Sequence, residues 1–398
     1  SLLSSEEIHL TNVPEIEDVK VMISIAQALG ADIKHPVDHE YIIHAKKLTS
    51  SCIDPSVGGL VRTAILFAPA MLLRTGKAIL PRPGGDNIGR RRIDTHFQAF
   101  QKLGATIKIN SNFEVEAKKL KGDYIYLDEA SVTGTENAII ASVCAKGIST
   151  IYNAACEPHV QDLCNFLNSI GAKIDGIGTN KLVITGVDSL KGGKWKIISD
   201  HIEVGSIIGL AAITRSHITI PDIQPEHYHI IKMYYNKLGV DFFFNGNEIV
   251  VPEKQELTAS ADIGESIPII SDMIWPGFPS DLTSITVVMA TQVKGTMLIF
   301  EKMFDSRLFF TDKLVSLGAS LVLCDPHRVV VSGPTKMIPG KVTSPDIRAG
   351  MSLLIATLLA DGESIIQNIK QIDRGYEKID ERLNKLGAKI FREEEICQ

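Results

Sequence analysis

A glycine-rich loop runs directly into three consecutive arginines in the segment PRPGGDNIGRRRIDTH. The glycines allow a flexible lid, and the arginines stand at the start of a predicted helix, whose free N–H groups and dipole already favour anions. Asp86 lies within this lid, so the pattern predicts a mobile acid beside an anion site. The alternative is a solvated turn. The lid covers residues 81–92 and contains Gly84, Gly85, Gly89, Arg90, Arg91 and Arg92.

Three further arginines, Arg307, Arg348 and Arg374, each occur at or just before the start of a predicted helix in the second half of the chain. A small substrate with several negative charges requires several guanidinium groups, because each binds a carboxylate or phosphate through two parallel hydrogen bonds. The alternative is a surface ion pair with an acid one or two residues away. Those acids are Asp305, Asp346 and Asp373.

Asp281 ends the rigid turn PGFPSD and stands at the start of another predicted helix. A buried carboxylate facing a cleft between two domains can take a proton from a substrate hydroxyl. A carboxylate at this position can instead simply cap its helix. The sequence leaves both interpretations open.

Other chemistries find little support. Walker, GxSxG, HExxH and Rossmann motifs do not occur in the sequence. His96 and His159 have no partners at metal-ligand spacing, so no metal site is predicted, and His159 is expected on the surface. The net charge of -6 argues against general nucleic-acid binding.

The composition of the chain, with 44% hydrophobic and 22% charged residues, is typical of a soluble globular protein. Its longest apolar stretches, such as residues 207–213, fall well short of the roughly 20 residues that cross a bilayer. Its six cysteines lack CxxC spacing, which is typical of reduced thiols and favours a cytoplasmic location.

Six related tags end the helices that must position these residues: ALGADI, KLGATI, SIGAKI, KLGVDF, SLGASL and KLGAKI. A glycine after an amphipathic run predicts a helix C-cap, and the hydrophobic residue three positions later predicts a strand. The tags recur about every 70 residues, which indicates one supersecondary unit copied six times. The glycines are Gly30, Gly104, Gly171, Gly239, Gly318 and Gly387.

Each unit also contains a second helix that is apolar on all sides and therefore predicted to be buried. Five such helices are predicted over residues 60–73, 136–145, 201–214, 281–291 and 346–360. The third unit illustrates the remainder, with an amphipathic helix over residues 157–169 and strands over residues 148–153, 172–175 and 181–185.

The length of 398 residues predicts two domains of three units each. The polar stretch 191–200 is the expected crossover, which gives domains 1–199 and 200–398, with the lid in the first.

The start of the chain resembles a segment of the last unit. TLLADGESIIQNI, at residues 357–369, aligns without gaps onto SLLSSEEIHLTNV at residues 1–13. Ser1 is therefore expected near the end of a buried helix, within a longer protein; the alternative is a natural chain with a short first unit.

Six motifs occur in order along this repeat: PGGDNIGRRRIDTH, SVTGTEN, PGFPSDL, MFDSR, DIRAG and IDRGYE. Together they resemble the UDP-N-acetylglucosamine 1-carboxyvinyltransferases, the enolpyruvyl transferases that open bacterial peptidoglycan synthesis. The resemblance runs from Ser1 to about Arg392. It implies an α/β fold of two inside-out α/β barrels, each built from three βαβ-type units, with the active site in the cleft between them.

The resemblance also implies the reaction. Enolpyruvate passes from phosphoenolpyruvate to the 3'-hydroxyl of UDP-N-acetylglucosamine, and phosphate is released in the cytoplasm. Neither a metal nor an organic cofactor is implied, and the expected partners are these two small substrates rather than nucleic acid or membrane.

Several site residues follow from the resemblance. Asp281 matches the carboxylate proposed to deprotonate the sugar hydroxyl and to contact the sugar nucleotide. The residues matched to phosphoenolpyruvate binding are Arg62, Arg91, Arg348 and Arg374, with His96 beside the same pocket. Those matched to the sugar nucleotide are Ser131, Val132, Thr133, Gly134, Asp200 and the backbone near Met303, and Arg307 matches a further cleft arginine.

Two departures from the family pattern stand out. Many members carry cysteine at the lid position where this chain has Asp86. A carboxyl can still supply a proton to the enolpyruvyl methylene, but it cannot form the thioether by which fosfomycin inactivates the cysteine form, so we expect resistance and lower activity at high pH. The family's Lys-Asn pair would precede Ser1, which predicts about 30 further residues in the native protein.

Two alternative functions are compatible with the motifs. A non-catalytic paralogue would bind UDP-N-acetylglucosamine as a sensor, although it would have no reason to keep a phosphoenolpyruvate site. The 3-phosphoshikimate 1-carboxyvinyltransferase shares the scaffold, but its GDKS and GNAGTA motifs do not occur in this sequence.

Overall fold

The computed structural model describes residues 1–86, 88–89 and 91–393. Arg90, in the predicted arginine run, and Cys397 therefore lie outside the described residues. The described residues form two compact units. The first contains Ser1–Gly85, Arg91–Ser199 and Ile274–Pro276; the second contains Asp86, Ile88, Gly89, Asp200–Met273 and the chain from Gly277 to Glu393.

The helices of the described residues are short, and they alternate with strands along the chain. The thirteen α-helices among these residues are α1 (Glu17–Ala28), α2 (Pro55–Gly58), α3 (Ala68–Thr75), α4 (Asp94–Lys102), α5 (Val132–Val143), α6 (Pro158–Ser169), α7 (His201–Ile213), α8 (His229–Asn236), α9 (Thr283–Ala290), α10 (Thr311–Ser316), α11 (Ile347–Leu358), α12 (Lys370–Asp373) and α13 (Ile379–Lys385). The 3₁₀ helices are Arg62–Phe67, Pro225–His227 and Ser280–Leu282.

The strands are equally short. Those described are β1 (Glu7–Thr11), β2 (Asp32–Lys34), β3 (Tyr41–His44), β4 (Lys77–Leu80), β5 (Thr106–Ile109), β6 (Phe113–Glu116), β7 (Tyr124–Tyr126), β8 (Ile148–Tyr152), β9 (Ile174–Asp175), β10 (Lys181–Thr185), β11 (Gly193–Lys196), β12 (Ile218–Ile220), β13 (Phe243–Asn245), β14 (Glu248–Val251), β15 (Ile269–Ser271), β16 (Gly295–Phe300), β17 (Leu321–Asp325), β18 (Arg328–Gly333), β19 (Lys341–Thr343) and β20 (Ile365–Gln367).

These strands form several small sheets, which makes the fold mixed α/β. In the first unit the strand orders are β11-β1-β3-β2, β4-β6-β5 and β7-β8-β10-β9. In the second unit they are β12-β14-β13, β15-β16-β18-β17 and β19-β20. Most neighbouring strands are antiparallel, but β15 and β16 run parallel, with Ser271 beside Phe300 at their ends. This parallel pair bears directly on the candidate site.

All six tag glycines adopt positive φ just after a helix, with φ from 71° at Gly239 to 109° at Gly171. An L-residue enters this region only at a steric cost, so glycine is required there. The predicted C-caps are confirmed. Strands β2, β5, β9, β13 and β17 follow the first five tags; after the sixth, the described residues up to 393 contain no strand.

The predicted buried helices are largely confirmed as α5, α7, α9 and α11, although α5 begins earlier, at Val132. The prediction over residues 60–73 was wrong in detail, since the 3₁₀ helix Arg62–Phe67 precedes α3 there. Pro69 lies in the first turn of α3 and has no N–H. A continuous α-helix would need that N–H to donate to residue 65, so the chain changes helix type instead.

Each unit has its own hydrophobic core, and in the second unit the core is built around α7, α9 and α11. A Cβ added to Gly205 would lie 2.8 Å from Leu282 Cδ1, and one added to Gly209 would lie 2.9 Å from Ile285 Cγ2. Glycine on α7 therefore permits close approach to α9. This contact fixes the start of α9, where Asp281 is found.

The alignment of residues 1–13 with residues 357–369 has a structural counterpart. Asn12 follows β1 with φ 58°, and Asn368 follows β20 with φ 57°, at equivalent positions of the alignment. Leu2 and Leu3 lie in a turn, however, rather than in the end of a helix as expected.

None of the helices within the described residues combines the length and apolar character needed to cross a membrane.

Candidate active site

Asp281 is held by two arginines of the second unit. Nη2 of Arg307 donates to Oδ1 at 2.8 Å, while Nε and Nη2 of Arg348 lie 3.1 Å and 3.0 Å from Oδ2. The Asp281 side chain is still 38% exposed, whereas that of Arg307 is only 2% exposed. The carboxylate is therefore held by two arginines and remains partly exposed to solvent.

Asp281 is not a helix cap, because Pro279 occupies the N-cap position of the 3₁₀ turn that contains Asp281. This turn, Ser280–Leu282, leads directly into α9. The helix begins here because the prolines upstream restrict the chain and Leu282 enters the core. Of the two interpretations that the sequence left open, the capping role is the wrong one.

The arginines do not pair with their neighbours in sequence. Asp305 lies 3.3 Å from His327, and Asp373 lies 2.8 Å from Arg392. Asp346 caps α11 by accepting the backbone N–H groups of residues 348 and 349, both at 2.9 Å. Burial raises the pKa of Asp346. The acids nearest in sequence therefore have other partners, and the local ion-pair alternative was wrong.

Glu301 lies beside the Arg307 guanidinium. It is fully buried, and its Oε2 lies 3.5 Å from Nε of Arg307. The Arg307 guanidinium also lies over the Phe304 ring, 4.9 Å from its centroid. Sequence reasoning missed Glu301; its one signal was an acid placed between the apolar strand β16 and the MFDSR motif.

Tyr376 supports Arg348 in the same way. Nη1 of Arg348 lies 3.3 Å from the Tyr376 hydroxyl, which lies 3.0 Å from the hydroxyl of Ser206. Burial raises the pKa of Tyr376, so the phenol stays protonated. Burial disfavours the charge on Arg348, but Asp281, Tyr376 and Asp200 together raise its pKa above the usual value. Tyr376 belongs to the sequence motif IDRGYE, but the motif alone did not indicate its contact with Arg348.

Arg374 binds Asp86. Nη1 of Arg374 donates to Oδ1 of Asp86 at 2.5 Å and to Oε1 of Gln371 at 3.0 Å. The side chains are 17% and 14% exposed, respectively. Arg348 lies in the first turn of α11 as predicted, but Arg374 follows the end of α12 and Arg307 precedes α10 by four residues. The prediction that all three stand at helix starts was therefore wrong for two.

The lid glycines have specific steric roles. A Cβ on Gly84 would fall 1.8 Å from the carbonyl oxygen of Gly59, and Gly85 adopts φ 101°. Ile88 is buried, and its carbonyl accepts the backbone N–H of Ser306 at 3.1 Å. The glycines thus permit close backbone approach and positive φ, a requirement that the sequence pattern alone did not distinguish from flexibility.

The arginines of the first unit divide into two kinds. Arg92 makes ion pairs with Asp94 and Asp128 and is 38% exposed, so it is a surface residue. Arg62 donates from Nη2 to the carbonyl of Arg92 at 2.6 Å. Burial, and then the nearby charge of Arg91, lower the pKa of Arg62 to about 10. Two neighbouring guanidiniums on a partly buried surface provide a site that favours an anion.

His96 lies in α4 and is fully buried. Nδ2 of Asn137 lies 2.7 Å from Nδ1 of His96 and 3.2 Å from the carbonyl of Ile65, while Thr133 Oγ1 lies 3.3 Å from Nε2. Because an amide nitrogen only donates, this network assigns the proton of the neutral ring to Nε2. Burial, followed by the charge of Arg62, lowers the pKa of His96 to about 3.

The segment Ser131–Gly134 forms the start of α5. Ser131 is the N-cap and accepts the backbone N–H of Gly134 at 3.2 Å, while Val132 is the first helical residue. A Cβ on Gly134 would lie 3.0 Å from Ser131 Cβ and 3.1 Å from Thr95 Cγ2. A larger residue at position 134 would therefore disturb this helix start.

Asp200 and Met303 belong to the second unit. Asp200 caps α7 by accepting the backbone N–H of Ile202 at 2.8 Å. The backbone N–H groups of Met303 and Phe304 both donate to Oε1 of Glu301, each at 3.1 Å. A substrate contact with the backbone near Met303 would therefore use a carbonyl group, and the Met303 side chain is 43% exposed.

The described residues contain one group with metal-ligand geometry, formed by Glu15, His35 and Asp38, whose ligand atoms lie within 4.8 Å of one another. His35 pairs with Glu15 at 2.9 Å and stacks on Tyr41. Partly exposed acids of this kind are common without a metal, so no ion is assigned. The five cysteines in the described part of the chain are all free thiols, and His159 is exposed as expected.

Residues 1–383 match the family model for EPSP synthase (3-phosphoshikimate 1-carboxyvinyltransferase). A relative from Treponema denticola, described as UDP-N-acetylglucosamine 1-carboxyvinyltransferase, is 50% identical over 390 residues, which cover 98% of this chain and 92% of the relative. One from Bradyrhizobium diazoefficiens with the same description is 48% identical over 392 residues, or 98% and 91% of the two chains.

Solved structures share the fold. The enolpyruvyl transferase NikO from Streptomyces tendae aligns with a TM-score of 0.84 at 22% identity, over 98% of this chain and 91% of its own. EPSP synthase from Acinetobacter baumannii aligns with a TM-score of 0.71 at 16% identity, over 96% and 90%. At these identities the likeness concerns the fold alone.

Proposed function

This chain belongs to the UDP-N-acetylglucosamine 1-carboxyvinyltransferase family within the EPSP synthase group, which transfers enolpyruvate from phosphoenolpyruvate to UDP-N-acetylglucosamine in peptidoglycan synthesis, and we propose how its residues carry out that reaction. The observation that carries the proposal is the partly exposed Asp281 carboxylate, held by Arg307 and Arg348. A carboxylate held in this way can accept the proton of the 3'-hydroxyl as its oxygen attacks C2 of phosphoenolpyruvate.

The arginines weaken Asp281 as a base until substrate binds. Two guanidiniums around one carboxylate stabilise its charged form. Phosphoenolpyruvate carries a carboxylate and a phosphate, both of which suit an arginine fork. We expect its anionic groups to draw Arg348 partly away from Asp281, so that Asp281 becomes a stronger base only when the second substrate is present.

Asp86 supplies the proton that phosphoenolpyruvate needs at C3. In the structure Asp86 is held by Arg374 through the hydrogen bond between Nη1 and Oδ1. When the substrate anion binds Arg374 in its place, this contact is released and the Asp86 carboxyl can approach C3. After the proton has moved to C3 and the sugar oxygen has bonded to C2, the Asp86 carboxylate takes a proton back from C3 while the C2–O bond to phosphate breaks, which restores the vinyl group and releases phosphate.

The remaining roles concern binding. In the first unit, Arg62 and Arg91 bind phosphoenolpyruvate, with neutral His96 beside them, and the α5 start at Ser131–Gly134 binds the sugar nucleotide. In the second unit, Asp200 and Met303 contact the sugar nucleotide. The neighbouring cationic groups of Arg62 and Arg91, and the position of Ser131 at the start of α5, support these roles.

Each unit is proposed to be an inside-out α/β barrel of three βαβ-type repeats. The three small sheets of each unit, together with buried helices such as α5 in the first unit and α9 in the second, support that description. We also propose a cytoplasmic location and insensitivity to fosfomycin, because the described cysteines are free thiols and the lid position holds Asp86.

The deciding experiment measures phosphate released from phosphoenolpyruvate by the purified protein. We expect release that depends on UDP-N-acetylglucosamine, with an enolpyruvyl sugar nucleotide found by mass spectrometry. Release that depends on shikimate 3-phosphate instead would contradict the proposed substrate. Binding of UDP-N-acetylglucosamine without any turnover would favour the non-catalytic paralogue.

A further inference from the structure

We propose that Glu301 and Asp272 form a buried carboxyl pair that shares one proton and positions Arg307 against Asp281. The inference rests on the proposed role of Asp281, because it concerns the group behind that base. Glu301 and Asp272 would be positioning residues that touch neither substrate.

Strand pairing brings the two carboxyls together. Asp272 directly follows β15 and Glu301 directly follows β16, and these parallel strands end side by side at Ser271 and Phe300. Both residues are buried, with exposed fractions of 1% for Asp272 and 0% for Glu301. The two side chains are in hydrogen-bond contact. Two acids placed alike at the ends of paired strands thus face one another without access to water.

The partners of Glu301 account for its orientation. Its carboxyl accepts the Ser280 hydroxyl at 2.9 Å, and Oε1 accepts the backbone N–H groups of Met303 and Phe304 at 3.1 Å. Oε2 lies 3.5 Å from Nε of Arg307. The residue therefore ties the Ser280–Leu282 turn, which contains Asp281, to the loop that leads to Arg307.

The partners of Asp272 indicate where the proton lies. Oδ1 of Asp272 accepts the backbone N–H of Lys302 at 2.5 Å. Oδ2 is buried, and no donor reaches it among the described residues when both acids are ionised. One proton shared between Oδ2 and the Glu301 carboxyl completes that hydrogen bond and removes the repulsion between two facing carboxylates, which is the usual outcome for like charges at hydrogen-bond distance.

The charge on the pair then controls Arg307. With one shared proton the pair carries a single negative charge, which balances the buried guanidinium while Nη2 remains on Asp281. Nη1 and Nε of Arg307 have no hydrogen-bond partner within the described part of the chain. If the pair lost its proton, a second negative charge 3.5 Å from Nε would compete with Asp281 for the same guanidinium.

Several other charged groups lie near the pair. Burial, with Asp272 as a further contributor and Arg307 opposing, raises the pKa of Glu301 to about 8. His327 donates from Nδ1 to the Glu301 carbonyl at 2.8 Å, and its Nε2 lies 3.3 Å from Asp305. The Lys302 ammonium donates to the Ser271 hydroxyl at 3.2 Å. Beyond Arg307 lie Asp281 and Arg348.

The test compares Glu301→Gln and Asp272→Asn with the wild-type protein by infrared spectroscopy near neutral pH. We expect the wild-type spectrum to contain the absorption of one more protonated carboxyl than either variant. The control is Asp162→Asn, which removes a buried carboxyl of the first unit that accepts the Trp195 indole N–H at 3.1 Å. Unchanged carboxyl absorption in both pair variants would overturn the shared proton, whatever the enzyme catalyses.

Kinetics test the positioning role. Glu301→Gln has the shape of the protonated acid, so we expect its kcat near neutral pH to stay within about threefold of wild type. Glu301→Ala leaves Arg307 unsupported, and we expect kcat to fall about 10- to 100-fold with smaller changes in KM. The ratio of wild-type to Glu301→Gln kcat should fall as pH rises through about 8, because only wild type loses the shared proton.

A constant ratio across that range, or equal losses in the Gln and Ala variants, would overturn the positioning role. Thermal unfolding identifies variants that lose activity merely by failing to fold. The role of Asp281 and the shared proton can be refuted independently. Full activity in Asp281→Asn would refute the role of Asp281 as the base, whereas the infrared result does not depend on turnover.

Discussion

Arg348 directs Nε and Nη2 at a single oxygen of Asp281, at 3.1 Å and 3.0 Å, although 67 residues separate the two in the chain. The sequence motifs assigned Arg348 to substrate and Asp281 to proton transfer. In the structure they are bound to one another. The proposed base and the proposed anion site are therefore in direct contact, and we expect a substrate that engages one to change the other.

Replacing Asp281 by Asn tests the base. The amide keeps the size of the carboxylate but cannot accept the hydroxyl proton, so we expect kcat to fall about 10²- to 10⁴-fold. KM for UDP-N-acetylglucosamine should change much less. Steady-state phosphate release measures both constants. A kcat within a few-fold of wild type, in a variant with normal thermal unfolding, would assign the proton to another group.

Replacing Arg374 by Lys tests the anion site. Lysine keeps the charge but loses the fork that can bind two oxygens, so KM for phosphoenolpyruvate should rise about tenfold or more. Arg392→Lys is the matched control, because Arg392 pairs with Asp373 and Asp380 and is 40% exposed. Initial rates at varied phosphoenolpyruvate measure the effect. Equal KM values in the two variants would show that Arg374 does not bind this substrate.

Replacing Asp86 by Cys tests the lid position. A carboxylate does not open the epoxide of fosfomycin to a thioether, so the wild-type protein should keep its activity after incubation with the drug. The Asp86→Cys variant should lose activity and gain the mass of one fosfomycin, which intact-protein mass spectrometry detects. Covalent mass at the lid of the wild-type protein would contradict the assignment.

Buried His96 makes stability sensitive to acid. Its pKa is lowered from 6.5 to about 3 in the folded state, so between these values the unfolded chain binds more protons. Its contribution is complete above pH 6.5 and is lost as pH falls towards 3, by about 1.4 kcal/mol for each pH unit. Urea unfolding at several pH values measures the slope.

The comparison for His96 uses two glutamine variants. His96→Gln should reduce the slope of the free energy of unfolding against pH over that range. His159→Gln should leave it unchanged, since His159 is exposed. Identical slopes in the wild-type protein and His96→Gln would show that His96 does not cause the acid sensitivity.

The sequence by itself determined the local features. Glycines after amphipathic runs predicted the six helix ends, because left-handed backbone is accessible to glycine over a span of a few residues. Runs that are apolar on all sides predicted the buried helices, because a helix with such a surface is stable only when it is removed from water. The acid at Glu301 went unremarked, since nothing local distinguishes a buried carboxyl from an exposed one.

Only the tertiary structure decided which charges meet. The nearest acids to Arg307, Arg348 and Arg374 in sequence bind elsewhere, and Arg374 instead binds Asp86, 288 residues away. Proximity in the chain adds little to an exposed ion pair, whereas packing within a unit fixes which side chains lie within reach after burial. Residue types indicated the chemistry, and burial selected the partners that carry it out.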